Sequence, residues 1–322
     1  MKVYILAFLL SLFLSAAICF VLLPILKKLK AGQSILSYVK EHEYKGGTPT
    51  MGGVSFVLSS SIVSLIFAQK HNLRPMLVSL AAGCGFCLVG FLDDYIKIRY
   101  KRNEGLTPFQ KIAFQSIISL LAAVFAYVRG FTCPFLPFFQ TRVELGWLSI
   151  PLNVFVFLAV TNCVNLTDGL DGLAAGTSYV YLLLLAMLIF LEEGLTFRSV
   201  NNSALLSIAL AGALIGFLLF NTFRAKVFMG DTGSLALGGF ISCLSAFSSN
   251  TFYIPFLGIV FVISGISVIV QVIYYKRTGK RVFLMAPVHH HFQMKGASEA
   301  KIAFCYKVLT LVTGLVCLLF FL

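Results

Sequence analysis

Long apolar runs separated by short polar stretches make up most of this chain. Ten of the runs are about 17 to 25 residues long, the length that carries an α-helix across the apolar part of a bilayer. They cover residues 3–26, 52–68, 76–96, 112–131, 147–163, 173–191, 203–221, 233–249, 252–275 and 302–322. A membrane β-barrel would instead show short segments of alternating polarity. The pattern therefore predicts an all-α integral membrane protein with about ten transmembrane helices, in a single domain that covers residues 1–322.

Composition and charge agree with this fold class. Of the 322 residues, 59% are hydrophobic and 11% are charged, and the mean hydropathy is +0.93. Soluble proteins carry about 25% charged residues. The formal net charge of +13 would suggest a nucleic-acid partner in a soluble protein. Here the basic residues lie between the apolar runs, so they predict contact with anionic membrane lipid or substrate and no nucleic acid.

The basic residues are unevenly shared between the connections that join the runs. Odd-numbered connections hold 18 Lys and Arg residues, and even-numbered connections hold five. Because connections rich in Lys and Arg stay in the cytoplasm, the odd connections are predicted inside and both termini outside. All five aspartates and four of the five histidines lie on or beside odd connections. An active site is therefore predicted at the cytoplasmic membrane edge.

Two acidic motifs border odd connections. Phe91–Tyr95 contains Asp93 and Asp94 and is predicted to end the third helix. Adjacent carboxylates repel each other, so a proton or a nearby cation is expected; a solvated helix end is the alternative. Asp231, in Phe228–Ser234, is predicted to open the eighth helix, either as its N-cap or as a Mg²⁺ ligand.

A third acidic motif, Asn165–Gly172, joins two helices through very few residues. It carries Asp168 and Asp171, and acids beside a membrane helix are costly and tend to mark function. A tight turn explains the two Asp-Gly pairs as well as a binding site does.

Two further odd connections carry candidate binding residues. In the first, Glu43–Gly53 runs into the second helix, where Lys45 and the glycines could contact a phosphate or form a flexible turn. The ninth contains Ala286–Gly296, which carries three consecutive histidines, His289, His290 and His291. At an inner surface these histidines could bind a metal or a phosphate, or transfer protons.

One glycine pattern predicts packing rather than chemistry. Gly212 and Gly216 form a G-x-x-x-G pattern in the seventh helix. Small residues at this spacing let two membrane helices approach closely.

Five stretches together resemble a known family. They are Thr48–Gly53, Asp93-Asp94, Asn165–Gly172, Phe228–Ser234 and Pro287–Phe292. In this order they are similar to the polyprenyl-phosphate N-acetylhexosamine-1-phosphate transferases, and the similarity covers nearly the whole chain. The acidic motifs are shared across that superfamily. The histidine stretch, Ala286–Gly296, is what indicates its muramoyl-pentapeptide branch.

The resemblance implies a reaction, a cofactor and a location. UDP-N-acetylmuramoyl-pentapeptide and undecaprenyl phosphate would give lipid I and UMP, in peptidoglycan biosynthesis. Mg²⁺ dependence, a homodimer and the bacterial cytoplasmic membrane are implied as well. A sister transferase that moves N-acetylglucosamine-1-phosphate is one alternative. A polyprenyl-phosphate transporter is another, although its titratable groups would be expected near the bilayer midplane.

The resemblance also implies roles for the acids and for two lysines. Asp231 would be the Mg²⁺ ligand, and Asp93 and Asp94 would deprotonate or orient the lipid phosphate. Lys45 and Lys111 would contact phosphates. Which aspartate acts as the base stays open, as does the choice between direct transfer and a phospho-aspartate intermediate.

The remaining implied residues concern the nucleotide and the sugar. Asn165, Asp171, Asn221 and Phe228 would form the nucleoside and phosphate pocket, with Phe228 stacking on the uracil. The three histidines would shape the pyrophosphate and sugar side. They are His289, which would also be catalytic, His290 and His291.

Overall fold

A computed structural model describes residues 1–29, 47–100, 104–139, 141–192 and 201–321. The α-helices in these ranges are α1 (Lys2–Lys28), α2 (Val54–Phe67), α3 (Leu73–Tyr100), α4 (Pro108–Val128), α5 (Ser149–Thr167), α6 (Leu173–Glu192), α7 (Asn202–Asn221), α8 (Gly230–Ala246), α9 (Ile254–Leu257), α10 (Ile259–Thr278), α11 (Val288–Met294) and α12 (Glu299–Phe321). Strands β1 (Phe135–Leu136) and β2 (Thr141–Arg142) pair antiparallel. The predicted all-α class is confirmed.

Eight helices are long and apolar enough to cross a membrane, counted over the described ranges. They correspond to eight of the ten predicted spans, and the protein is an integral membrane protein. The second and eighth predicted spans are the shorter helices α2, with 14 residues, and α8, with 17. The count of ten stays a prediction.

Three predictions about where helices end and lie are corrected by the structure. Helix α3 continues to Tyr100, so Asp93 and Asp94 lie inside it rather than at its end. The extension is favourable because Lys97 and Arg99 occupy its last turn, where the positive charge of basic side chains interacts favourably with the negative end of the helix dipole. The ninth predicted span is divided at Gly258 into α9 and α10. The histidines lie on the short helix α11 rather than in a loop.

The chain termini lie at one end of the bundle and the acidic motifs at the other. Near the N-terminus, the Tyr4 hydroxyl accepts a hydrogen bond from the Asn201 amide at the start of α7. Near the C-terminus, the Phe321 ring packs 4.9 Å from the Phe135 ring of β1. This agrees with the predicted arrangement of odd and even connections, while the side of the membrane on which each end lies stays a prediction.

Helices α6, α7 and α8 form the centre of the bundle. In the most apolar part of α6 and α7, 78% and 72% of the residues are buried, against 22% in α1. In α8 every residue except Asp231 is buried. The predicted G-x-x-x-G packing is confirmed, because Gly212 and Gly216 lie directly against the backbone of α1. Helices α1, α4 and α10 are peripheral and present exposed apolar side chains, as expected for contact with lipid.

A close crossing of α3 and α8 brings the acids together. A Cβ atom at Gly90 of α3 would overlap the Asp231 carbonyl group and lie 2.6 Å from the Thr232 amide nitrogen. At this position the two backbones are in contact, and neither can move aside as a flexible side chain would.

We expect Gly90→Ala to separate α3 from α8 and to destabilise the protein by ~1–3 kcal/mol, the usual cost of overpacking. The matched control is Gly85→Ala on the same helix, where the new Cβ would lie 3.2 Å from the flexible end of Ile118. The measurement is the midpoint of thermal unfolding in detergent. Equal midpoints for the two variants would contradict the close crossing.

Candidate active site

Three carboxylates converge where α3 crosses the start of α8. Each of Asp93, Asp94 and Asp231 offers an oxygen atom, and these atoms lie within 4.8 Å of one another. Asp93 and Asp94 are buried, with 2% and 1% of their surface exposed. Carboxylates this close repel one another, so the cluster requires cations or hydrogen-bond donors.

Asp94 uses one carboxylate oxygen to cap α8. Its Oδ2 accepts hydrogen bonds from the Thr232 amide at 3.0 Å and from the Thr232 hydroxyl at 2.7 Å. The first amide groups of a helix have no partner within the helix and favour negative charge. Asp231 lies in the first turn of α8, as predicted, but the N-cap residue is Met229. The capping carboxylate therefore comes from another helix.

Two lysines and an asparagine surround Asp231. Its Oδ2 contacts the Nζ atoms of Lys97 at 2.8 Å and Lys111 at 2.9 Å. Its Oδ1 accepts a hydrogen bond from Asn165 Nδ2 at 2.5 Å. The structure thus brings together Asp93, Asp94, Asp231, Lys111 and Asn165, all named from the sequence.

Lys97 is a residue of this cluster that the sequence analysis did not select. It bridges the two helices, because its Nζ lies 2.6 Å from Asp93 Oδ2 as well as 2.8 Å from Asp231. The available signal was its position four residues after Asp93, a spacing that places two side chains on one face of a helix.

The cluster suits a divalent cation that prefers oxygen ligands. Asp94 Oδ1 is buried and has no hydrogen-bond partner among the described residues. Such an atom is costly to bury unless something binds it. When all three carboxylates are ionised, they outnumber the two lysines, which leaves negative charge for a metal ion. Mg²⁺ is usually held by one or two carboxylates together with substrate phosphates and water.

Backbone hydrogen bonds join two of the glycine-containing motifs. The Phe228 amide donates to the Pro49 carbonyl, and the Gly52 amide donates to the Phe228 carbonyl, both at 2.8 Å. The half-buried Phe228 is thereby held beside the segment that leads into α2. Lys45, predicted to meet a phosphate, lies outside the described residues.

Asp171 and Asn221 fasten the segment between α7 and α8. Asp171 Oδ2 accepts a hydrogen bond from the Ala225 amide at 2.9 Å. Asn221 Nδ2 donates to the Val227 carbonyl at 2.9 Å, and its Oδ1 accepts from the Gly172 amide at 3.2 Å. Both side chains are buried. In the structure they therefore shape the backbone that carries Phe228, and their predicted contact with a nucleotide stays a prediction.

Two of the histidines lie against the Asn165–Gly172 motif. A Cβ atom at Gly169 would lie 2.5 Å from His289 Nε2 and 2.7 Å from His290 Nε2. His291 instead accepts a hydrogen bond from the Leu284 amide on its Nδ1, at 3.1 Å. Since Asn165 of the same motif contacts Asp231, one short connection links the acids to the histidines.

His289 is completely buried, and neither of its ring nitrogens has a hydrogen-bond partner among the residues that the structure describes. Burial, and secondly the neighbouring His290, lowers the pKa of His289 to about 3. The ring is therefore neutral at physiological pH. In this state the catalytic role predicted for His289 would use the neutral ring and not a positive charge.

Comparison with known proteins identifies the family. The family model of glycosyl transferase family 4 matches residues 76–249, more than half of the chain. The chain belongs to glycosyl transferase family 4. The matched region contains all three clustered carboxylates and both lysines around Asp231.

Several curated relatives of this family-4 protein carry the name phospho-N-acetylmuramoyl-pentapeptide-transferase. A protein from Clostridium botulinum (strain Eklund 17B / Type B) is 42% identical over 91% of this chain and 88% of its own length. One from Bacillus pumilus (strain SAFR-032) is 42% identical over 92% of this chain and 90% of its own. One from Thermoanaerobacter sp. (strain X514) is 39% identical over 90% of both. The resemblance drawn from the five motifs, including the branch indicated by the histidines, is confirmed.

The low pKa of His289 predicts a loss of stability in acid. An unfolded histidine has a pKa of about 6.5, so below that pH the unfolded state binds a proton that the folded state does not. Stability from this source is complete above pH 6.5 and falls by ~1.4 kcal/mol per pH unit as the pH drops toward 3. We expect thermal midpoints at pH 7.5 and 5.0 to differ more for wild type than for His289→Phe.

The control is His71→Phe, since His71 is exposed and its carbonyl accepts a hydrogen bond from Asn202 at the start of α7, the opposite end of the bundle. It should keep the wild-type difference between the two pH values. If His289→Phe keeps it too, the buried neutral histidine is not its source.

Proposed function

We propose that this protein transfers phospho-N-acetylmuramoyl-pentapeptide from its UDP donor to undecaprenyl phosphate, giving lipid I and UMP. The observation that carries the proposal is the convergence of three carboxylates and two lysines at one end of a membrane helix bundle. Both substrates are phosphate anions, one soluble and one in the membrane, so a transferase for them needs carboxylates for a metal, cations for phosphates and a site at the bundle end. Phosphoryl transfer depends mainly on positioning and charge neutralisation.

Asp231 is the proposed metal ligand. Asp94 Oδ1, which has no hydrogen-bond partner within the described chain, is the proposed second ligand oxygen. Mg²⁺, when bound, supplies positive charge that neutralises the oxygens of the donor pyrophosphate. Lys97 and Lys111 now contact Asp231. Because Lys is a flexible point charge, both ammonium groups can contact phosphate oxygens when substrate enters.

Asp93 and Asp94 orient or deprotonate the lipid phosphate. Asp93 is well held for this role: its Oδ1 accepts the Leu106 amide hydrogen bond at 2.9 Å, and its Oδ2 contacts Lys97. A group fixed in this way loses little entropy when it meets the substrate. Direct attack by the lipid phosphate needs only these contacts, and we propose it as the route.

The nucleotide end of the donor lies at the segment between α7 and α8. Asp171 and Asn221 hold this segment, and Phe228 offers a ring that stacks on uracil. Asn165 reaches both Asp231 and the Ser234 hydroxyl, at 2.5 and 2.8 Å, and so aligns this pocket with the acids. The histidines of α11 serve the sugar side, and Lys45 meets a phosphate.

The proposed setting is the bacterial cytoplasmic membrane, with the acids at the cytoplasmic face and both termini outside. We also propose a homodimer. Its direct test is the mass of the detergent-solubilised protein by light scattering at several protein concentrations.

The test of the function is turnover of purified protein in detergent with undecaprenyl phosphate, UDP-N-acetylmuramoyl-pentapeptide and Mg²⁺. We expect UMP and lipid I to form in equal amounts, and chelation of Mg²⁺ to stop the reaction. Detergent removes any sealed compartment, so a transporter would give no product. Faster turnover with UDP-N-acetylglucosamine would favour the sister transferase and contradict the proposal.

We expect Asp231→Asn to lower turnover by ~100-fold or more, because it removes the charge of the metal ligand. Asp93→Asn and Asp94→Asn should slow turnover while leaving the affinity for uridine nucleotides unchanged. The asparagine at position 94 keeps an oxygen that can accept from Thr232, so α8 stays capped and the thermal midpoint should hold. The measurements are turnover, nucleotide affinity by calorimetry and thermal midpoint for each variant.

The matched control for these variants is Glu104→Gln, which removes an exposed carboxylate from the connection that follows α3. It should behave as wild type. Parallel loss of turnover and nucleotide affinity in both variants of the aspartate pair would assign that pair to the donor pocket instead.

Orientation is tested by labelling introduced cysteines in intact cells, with the eight native cysteines replaced. Lys226→Cys and Lys295→Cys lie at the end that carries the acids, and His71→Cys and Arg142→Cys at the opposite end; all four positions are exposed. A membrane-impermeant reagent should label only the second pair, because the first faces the cytoplasm. Labelling of Lys295→Cys from outside would reverse the orientation.

A further inference from the structure

Helix α4 packs on the bundle through a face of mostly small side chains. In its most apolar part 28% of the residues are buried. Between membrane helices there is little hydrophobic driving force, so their association depends on close packing and on hydrogen bonds. Short side chains form only low ridges, which fix the position of one helix along another weakly. The buried residues of α4 are Gln115, Ser119, Ala122, Ala123 and Ala126.

Gln115, the one long side chain of this set, forms a hydrogen bond to α5. Its Oε1 accepts from Asn162 Nδ2 at 2.7 Å, and the same Nδ2 donates to the Leu158 carbonyl at 2.8 Å. A backbone carbonyl can only accept, so the NH₂ group of Asn162 must face Leu158 and, with its second hydrogen, Gln115. The amide of Asn162 is thus oriented by its own helix, and it fixes the carbonyl group of Gln115 in turn.

This hydrogen bond lies one helical turn below two residues of the candidate active site. Gln115 follows Lys111 by four positions on α4, a spacing that places both on one face of the helix. On α5, Asn162 precedes Asn165 by three positions and shares a face with it in the same way. Above the bond, Lys111 Nζ contacts one oxygen of Asp231 at 2.9 Å. Asn165 Nδ2 donates to the other at 2.5 Å.

Stability alone does not account for this glutamine. Gln115 is completely buried, and its Nε2 has no hydrogen-bond partner among the residues that the structure describes. Burying an amide nitrogen in this way costs free energy. A leucine would fill nearly the same space without that cost. The directional bond that the carbonyl group of Gln115 makes to α5 is therefore the property that a leucine could not supply.

We propose that Gln115 and Asn162 are positioning residues that set the register of α4 on α5 and so hold the Lys111 ammonium group at Asp231. A lysine side chain is long and flexible, so the place of its charge depends on the position of the helix that carries it. Lys97 contacts the same carboxylate from α3, and its position does not depend on α4. The effect on turnover rests on the proposed function, in which Lys111 contacts a substrate phosphate; the effect on the ion pair does not.

The experiment compares the two lysines within one protein. Gln115→Leu and Asn162→Leu each remove the hydrogen bond, from opposite sides. Each variant is treated briefly with acetic anhydride in detergent, with neither metal nor substrate, and the acetylation rates of Lys111 and Lys97 are measured by mass spectrometry. The reagent attacks the neutral amine, so an ammonium group in an ion pair reacts slowly. Lys111 should react ~3-fold faster or more in both variants, on the scale of a lost, partly exposed ion pair, and Lys97 should react no faster than in wild type.

Three further variants separate positioning from general loosening of the protein. Ser119→Ala changes the same buried face of α4 and should leave both rates unchanged. Gln115→Asn keeps a polar side chain, shortens it by one methylene group and should behave like Gln115→Leu. Adding Asn162→Gln to Gln115→Asn exchanges the two amides and restores the combined length of the pair. The Lys111 rate in this exchanged pair should return to within about twofold of wild type.

Turnover is the second readout. Gln115→Leu should lower it ~10-fold or more, because a misplaced group at the reacting centre is costly. The exchanged pair should recover most of this loss, and Ser119→Ala should remain at the wild-type rate.

Equal Lys111 acetylation in wild type and in both leucine variants would overturn the proposal and leave Gln115 a packing residue. An exchanged pair that reacts as fast as Gln115→Asn, or equal acceleration of Lys111 and Lys97, would overturn it as well. Release of Lys111 with unchanged turnover would overturn its contact with phosphate. Because acetylation needs no substrate, a protein that shows release and rescue of Lys111 but lacks muramoyl transfer would contradict the proposed function and not the positioning pair.

Discussion

The site depends on holding three carboxylates together at the end of an apolar helix bundle. Two unit charges about 4 Å apart interact by about 4 kcal/mol at an effective dielectric constant near 20, so three unscreened carboxylates would force α3 and α8 apart. Lys97 and Lys111 offset this repulsion at Asp231, and the N-terminus of α8 offsets it at Asp94. Ion pairs and helix capping within the chain thus offset the charge of the cluster. The same two lysines are the groups proposed above to contact substrate phosphates.

This balance requires a close and rigid contact between helices. Gly90 lets the backbone of α3 touch the first turn of α8, and α8 is buried along almost its whole length. Asp231, the proposed metal ligand, thus lies on the most enclosed helix of the described bundle. Side chains on such an element keep their geometry better than side chains on a loop, which matters because misplacement by about 1 Å can cost ~100-fold in rate.

One short connection couples the acids to the histidines. Within Asn165–Gly172, the first residue contacts Asp231, Gly169 lies against His289 and His290, and the Asp171 amide donates to Glu299. The motif has no room for larger side chains at Gly169. A turn and a binding site were equal interpretations of this motif; the structure shows a turn that contacts both the carboxylate cluster and the histidines, and the binding role stays a prediction.

The sequence by itself determined the helices, the family and the residue types of the candidate site, because each of these depends on neighbouring positions in the chain. Apolar runs have the length of a bilayer, Gly212 and Gly216 lie one turn apart on a helix face, and Asp231 stands at the start of an apolar run. Only the tertiary structure decided which groups meet. Lys97 and Asp231 are 134 positions apart, and Asp94 caps a helix that starts more than a hundred residues later. The same holds for the histidines: their side chains are identical in the sequence, but His290 Nδ1 lies beside Gln293 Oε1, whereas His291 Nδ1 accepts a hydrogen bond from the Leu284 amide. Hydrogen-bond direction and charge pairing depend on the partner that folding supplies, and no local pattern records that partner.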